Sequence, residues 1–407
     1  MTHLSLLKSN PLVRNLSLIQ LINYFALMFT QVALFTLMAQ NGIGALGLSL
    51  AAALFWAPSI LLSPLSGTLI DRFSSKKLLP FLLLVEILAT LLFLAFTAKE
   101  DFGMLLALLF LRSAAGTTYY TATMSLLPKI LEGDSLQRAN ELHSMIYSVC
   151  LTLGMALGGI VVHSLGVKSA FLIDASLYLI ALMILIATPL PREESPNEPI
   201  LAMLQDGFFY LFSQKSLLFI MAIHAVVATT LFDAIVTLLA KNHYHQTLAI
   251  PLAIGFINAA RAFSAMVGPF IFGRIISEKN LGWMLALEGV LLIFWAFLAR
   301  EFYASILGVL GAGILITTLW SYTMTMLQKR IEKRYYGRVV AYNDMFFTLI
   351  AVLSSLLIGY LLELGMEERW GIALIGGFFI LIGVAYAKRR ERFLGEKIGD
   401  FNFKDFR

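Results

Sequence analysis

The chain has 407 residues, of which 59% are hydrophobic and 14% charged. That leaves too little polar surface to coat a water-soluble globule of this length, so most of the surrounding solvent must be lipid. The formal charge of +5 does not point to nucleic acid, because Lys and Arg are scattered through short breaks between apolar runs; the lone cysteine, Cys150, excludes an internal disulfide and a cysteine-cluster metal site.

Met1 to Arg14 is short and polar, and the apolar run after it is too long for the core of a signal peptide, so it is expected to be retained as a span. Apolar runs then recur at about 15–39, 46–70, 78–98, 103–126, 139–163, 168–188, 216–240, 250–273, 281–299, 302–327, 339–362 and 370–387, which gives roughly twelve spans. Each is expected to be a helix, since backbone N–H and C=O groups in hydrocarbon must be satisfied within the segment and no alternating barrel pattern is present. Placing the N-terminus in the cytoplasm puts about 23 of the 30 basic residues on the inner side, with Lys99, Lys168, Lys241, Arg300 and Arg369 outside. Both termini are therefore expected in the cytoplasm.

The Pro- and charge-rich stretch from Pro189 to Pro199 falls near mid-chain and is followed by an amphipathic piece from Leu201 to Ser213. The expected division is a first six-helix half over 1–188, a linker with a surface helix over 189–215, a second half over 216–387 and a basic tail over 388–407 suited to an anionic lipid surface. The charged knot Gly67-x-x-x-Asp71-Arg72-x-x-x-Lys76-Lys77 between the second and third runs has a weaker echo running from Gly268 through Arg274 to Glu278 and Lys279. The same offset of 202 residues aligns Glu86 with Glu288 and Gln31 with Asp233, the signature of an internally repeated carrier with its site between the repeats.

These residues resemble the major facilitator superfamily. The Gly67 to Lys77 knot is similar to its signature loop, and Arg112-x-x-x-Gly116 to its fourth-span motif. The segment from Leu127 to Asn140, Gly154-x-x-x-Gly158-Gly159 and the stretch from Ala170 to Ala175 around Asp174 resemble the bacterial branch of enterobactin exporters and macrolide-efflux proteins. Leu157-Gly158 stands where antiporters of the superfamily carry Gly-Pro. The resemblance implies an all-α membrane fold of two pseudo-symmetric six-helix halves, a cavity lined by the first, fourth, seventh and tenth spans, and Asp71 and Arg72 acting with Gly67 as a gate. Arg274 and Arg338 are grouped with them as gating candidates.

Ionisable residues inside spans are costly and default to functional sites. At a rise of about 1.5 Å per residue, Glu86 and Arg112 reach similar depths, as do Glu288 and Arg261, so each couple is a candidate pair, either titrating or tying helices together. The first span carries a polar face at Gln20, Asn23, Tyr24, Thr30 and Gln31. Similar faces include Tyr119 and Tyr120 with Arg112 in the fourth span, Asp233 in the seventh and Trp320 in the tenth. Asp233 is the first candidate for a proton or cation site, and His224, nine residues before it, is expected on the opposite face. No phosphate-binding loop and no nucleophile–base set is visible, so neither an ATP-driven pump nor an enzyme is expected, and no cofactor or metal. The expected protein is a monomeric secondary carrier of the bacterial inner membrane, exporting a small amphiphilic molecule in exchange for protons. The alternatives are uptake of a small, possibly anionic metabolite, or movement of lysolipids.

Overall fold

The computed structural model describes residues 3–72, 74–190 and 200–394. The helices are α1 (His3–Ser9), α2 (Pro11–Gln40), α3 (Ala45–Arg72), α4 (Ser75–Phe93), α5 (Phe102–Ile130), α6 (Gly133–Leu165), α7 (Val167–Ala187), α8 (Ile200–Ser213), α9 (Lys215–Val226) and α10 (Asp233–Asn242). They continue with α11 (Ile250–Phe272), α12 (Leu281–Leu298), α13 (Phe302–Gly313), α14 (Ile316–Gln328), α15 (Tyr336–Glu363) and α16 (Glu368–Leu394). Short 3₁₀ turns join some of them, and no strand occurs among the described residues.

Local sequence accounts for several boundaries. Asn10 caps α2 by accepting a hydrogen bond from the Val13 N–H at 3.1 Å, and Pro11 occupies the first turn, where a missing N–H costs nothing. Between α6 and α7 the chain reverses through Gly166 alone, at φ 83°, a left-handed backbone that glycine adopts without Cβ strain. Ten described segments are long and apolar enough to cross a membrane. The α4 segment carries Lys76, Lys77 and Glu86 within 19 residues and is the most charged of the remaining long helices. Large apolar side chains point outward, among them Phe270 at 85% exposure and Trp283 at 77%, as a lipid-facing surface requires.

Two of the expected spans are broken. The seventh is α9, a 3₁₀ turn over Val227–Thr230, and then α10. Here the Thr229 and Thr230 hydroxyls donate to the Val226 and Val227 carbonyls at 2.7 and 2.8 Å, competing with the helical ladder. The tenth divides into α13 and α14 around Ile314, where α11 presses close: a Cβ on Gly313 would sit 2.7 Å from the Arg261 carbonyl. In both places, irregular backbone at membrane depth is covered by protein.

Taken as groups, α2 to α7 pack mostly among themselves and so do α9 to α16, while α3 and α15, and α6 and α11, are each other's main partners across the groups. We call these the first and second sets. The sets meet along α3 with α15 and α6 with α11, with close contacts at the end away from where α2 begins. There the Leu46 N–H donates to Glu363 at 3.1 Å, Gly359 packs on Ser49, and Gly159 faces Pro251 and Gly255. Toward the end where α2 begins, Tyr147, Trp320, Thr325 and Asp344 are exposed, so the space between the sets opens to that side.

Candidate functional site

Three polar constellations lie within the bundle. The first is inside the first set. Arg112 of α5 donates to Asp174 of α7 at 2.8 Å, with 2% and 0% of the two side chains exposed. Asp174 also accepts from the Thr30 hydroxyl of α2, and from Thr90 of α4 at 3.5 Å. The Arg112 guanidinium lies over the Tyr178 ring, 5.2 Å from its centroid, and the Tyr178 side chain hydrogen-bonds to Glu86. Gly116 permits this arrangement, since a Cβ there would come within 3.2 Å of the Glu86 carboxylate.

This corrects the expected pairing. Glu86 does lie in the field of Arg112, but the hydrogen-bonded partner is Asp174, and the guanidinium is sealed in the first set instead of facing an open cavity. The expected couple in the second set is likewise not formed. Arg261 reaches the Thr230 carbonyl at 3.4 Å and Asn258 at 3.3 Å, and it acts on Asp233. Glu288 is fully buried, and neither carboxylate oxygen has a hydrogen-bond partner among the described residues. A buried polar group with no partner is destabilising by about 1–3 kcal/mol. Glu288→Leu is therefore expected to raise the thermal unfolding midpoint of the detergent-purified protein; a lower midpoint would show a contribution that these contacts do not account for.

The second constellation joins the sets. Gln31 of α2 donates to Asp233 at 3.0 Å. Asp233 opens α10 directly after the break in the seventh span, and Arg261 and Tyr147 interact with it electrostatically. The two residues that the expected offset of 202 aligns thus touch each other, one from each set.

The third is aromatic. Tyr24 meets Tyr147 at 5.2 Å and His143 at 6.1 Å between ring centroids, and Tyr120 meets His143 at 5.4 Å. Tyr120 and Tyr147 are 47% and 38% exposed. On the other side, His224 bonds Thr323 at 2.8 Å and packs near Trp320 and Phe347; it lies on α9, beyond the helix break from Asp233.

The remaining candidates are dispersed. Gln20 donates to the His143 carbonyl at 3.1 Å, and Asn23 and Tyr119 are buried. Gly67, Asp71 and Arg72 lie in the last turns of α3, and their side chains are outside the described residues, as are residues 191–199 of the linker and the tail beyond 394. Arg274 is exposed after α11. Arg338 donates to Asp206 of α8 at 2.6 Å, beside the stacked pair Tyr210 and Tyr335 at 4.0 Å, so it anchors the surface helix to α15. A recess of about 310 Å³ between α4 and α7, lined by Lys76 and Lys77, lies away from all three constellations. Sequence reasoning did not single out Asp174 as a site residue. It is an acidic residue within an apolar run, and that signal was available.

Residues 16–355 match the sequence pattern of the Major Facilitator Superfamily. The chain belongs to this family. The family is one of membrane-embedded transporters of small molecules. Among curated relatives, it is 25% identical over 152 residues to the uncharacterized MFS-type transporter YkuC of Bacillus subtilis (strain 168), covering 37% of this chain and 35% of the relative. It is 27% identical over 172 residues to YfiS of the same organism, another uncharacterized MFS-type transporter, covering 41% and 40%. The matches thus span well under half of each relative. In fold, the chain is similar to the nucleoside transporter NupG, with a TM-score of 0.75 at 12% identity over 95% of this chain and 100% of that one. It is also similar to a bacterial homologue of the human lysosomal transporter Spinster in an inward-facing, unoccupied conformation, with a TM-score of 0.74 at 15% identity over 96% and 98%. At such identity these two show the facilitator fold alone.

Proposed function

We propose that this facilitator is a secondary carrier of the bacterial inner membrane that exports a small amphiphilic molecule against proton influx, by alternating access between its two helix sets. On this reading α3 and α4 supply two further spans, giving two six-helix halves, and the bias in Lys and Arg sets both termini in the cytoplasm. The export direction rests on the likeness of the Leu127 to Asn140 segment and its companions to enterobactin and macrolide exporters. The observation that carries the coupling is the position of Asp233. It is a buried carboxylate at a helix break, bonded across the sets to Gln31 and near Arg261. Any rocking of one set on the other changes that bond, so the proton affinity of the carboxylate and the direction of opening are linked. Uptake of an anion has less support, because Arg112 is already neutralised by Asp174.

The test begins with a thermal-shift screen of the purified protein against metabolites, siderophores, antibiotics and lysolipids, since a ligand of the folded state raises apparent stability. The ligand found is then used in proteoliposomes. Its flux is expected to accelerate several-fold under an imposed pH gradient, and Asp233→Asn is expected to retain ligand binding while losing that acceleration. Wild-type flux that ignores the gradient removes the coupling.

A further inference from the structure

One helix of the first set takes its cap from the second. α3 begins at Ala45, and the Gly44 carbonyl before it accepts the first helical hydrogen bond, from the Leu48 N–H at 3.1 Å. The position ahead of a helix commonly holds Ser, Thr, Asp or Asn, whose side chain takes up an N–H of the first turn. Gly44 has no side chain to do this, and the first turn of α3 contains no acidic residue. The cap comes instead from Glu363, the last residue of α15, where one carboxylate oxygen accepts from the Leu46 N–H at 3.1 Å. A Cβ on Gly44 would lie 2.7 and 2.9 Å from the two oxygens of that carboxylate, so the glycine leaves the space that the borrowed cap fills.

The contact is electrostatic as well as hydrogen-bonded, because a helix start carries partial positive charge. No Lys or Arg among the described residues pairs with Glu363, so the start of α3 is its counter-charge. Further along the same seam the Ser355 hydroxyl of α15 donates to the Ser49 carbonyl of α3 at 3.2 Å. The other seam, α6 on α11, closes at this end through the backbones at Gly159, Pro251 and Gly255. When this end opens, α3 loses its cap and Glu363 loses its partner, and both losses weigh against the open conformation. We infer that Glu363 is a latch residue of the transport cycle: by capping α3 across the seam, it holds closed the end of the bundle away from the start of α2. It positions helices and does not touch substrate. This rests on the alternating-access reading above.

The test uses the full-length protein in lipid nanodiscs with spin labels at Lys99 and Trp370, exposed at that end on opposite sets, and Cys150 replaced by Ala. Glu363→Ala is expected to raise the ratio of long to short distances about three- to tenfold, within the range for a lost helix cap. Glu363→Lys should raise it further, since a cation then faces the helix start. Gly44→Asp should also lengthen the distance, because it caps α3 from within and sets a second carboxylate against the first. Gly44 lies outside the left-handed region, so Asp suits its backbone. The double variant Gly44→Asp/Glu363→Lys should restore the short distance through an ion pair across the seam, a recovery that mere loss of packing would not show. Unchanged distances in folded Glu363→Ala and Glu363→Lys, or no recovery in the double variant, overturn the inference. Should Glu363→Lys fail to fold, Glu363→Ala and Gly44→Asp decide, and unchanged distances in both overturn it. Gly159→Val, whose Cβ would meet the Pro251 carbonyl at 2.7 Å, is the reference for opening by overpacking. Long distances in that variant beside unchanged ones in the Glu363 variants refute the latch and leave alternating access intact, whereas unchanged distances in every variant refute both.

Discussion

Arg112→Met is expected to destabilise the protein by about 3–5 kcal/mol, the loss that follows when one partner of a buried ion pair is removed and the other stays charged and enclosed. The partner is Asp174, which has no exposed surface and depends on Arg112 at 2.8 Å for its neutralisation. The hydroxyls of Thr30 and Thr90 would remain as donors, but hydroxyls do not cancel a charge. The double variant Arg112→Met/Asp174→Leu should recover most of the loss, because an apolar pair of similar volume removes the stranded carboxylate as well. Glu86→Gln should cost far less, since an amide can keep a bond to Tyr178. Thermal unfolding of the three variants checks this. A double variant no more stable than Arg112→Met would mean that the helices are held by these side chains in some way other than charge neutralisation. Because the cluster ties α2, α4, α5 and α7 into one body, transport is expected to fall with stability in the single variant.

Gly159→Val is expected to move the carrier out of the state described above without unfolding it. At the end of the bundle away from the start of α2, the backbones of α6 and α11 touch. A Cβ on Gly159 would meet the Pro251 carbonyl at 2.7 Å, and one on Gly255 would meet the Met155 carbonyl at 2.6 Å. Rigid helices leave no side chain there to give way. Overpacking costs about 1–3 kcal/mol, and since this contact lies between the sets it weighs only on conformations in which that end is closed. Each 1.4 kcal/mol is roughly a tenfold change in population, so a shift of about five- to a hundredfold toward separation at this end is expected. Spin labels at Leu165 and Leu364, both exposed at that end on opposite sets, report it when Cys150 is replaced by Ala. A longer distance in Gly159→Val supports the argument, and an unchanged distribution sinks it. Gly268→Ala makes a useful contrast. Its Cβ would collide with the Ile314 carbonyl within the second set, so it should lower stability with no change in the measured distance.

Much of the fold was legible in the chain because its causes are local. A run such as that in α7 is apolar over 21 residues and has to be helical in hydrocarbon, whatever surrounds it. The ends of the spans also have local causes, Asn10 and Pro11 at the start of α2 and Gly166 after α6, although hydropathy alone put that start near residue 15. The breaks at Val227 and Ile314 were not anticipated. Both look continuous by hydropathy, and the interruption comes from Thr hydroxyls bonding back to carbonyls and from α11 pressed against Gly313.

The polar residues inside the spans were legible in the chain, and their partners much less so. Asp233 and Gln31 were aligned by the repeat offset, and they meet. Depth arithmetic brought Glu86 level with Arg112, and it is near, yet the same arithmetic would have admitted Asp174, which holds the bond. Arg261 and Glu288 failed to pair although their depths agree, because equal depth does not make two side chains face each other.

The sequence by itself determined that this is a multi-span helical membrane protein of the facilitator family, since composition, run length and loop motif are properties of the chain taken one segment at a time. Only the tertiary structure decided that Arg112 is sealed by Asp174 and that Asp233 bridges the sets. Those facts depend on lateral packing and on the rotation of each helix about its axis. Hydropathy is nearly blind to both, because in a bundle surrounded by lipid the faces toward protein and the faces toward solvent are equally apolar.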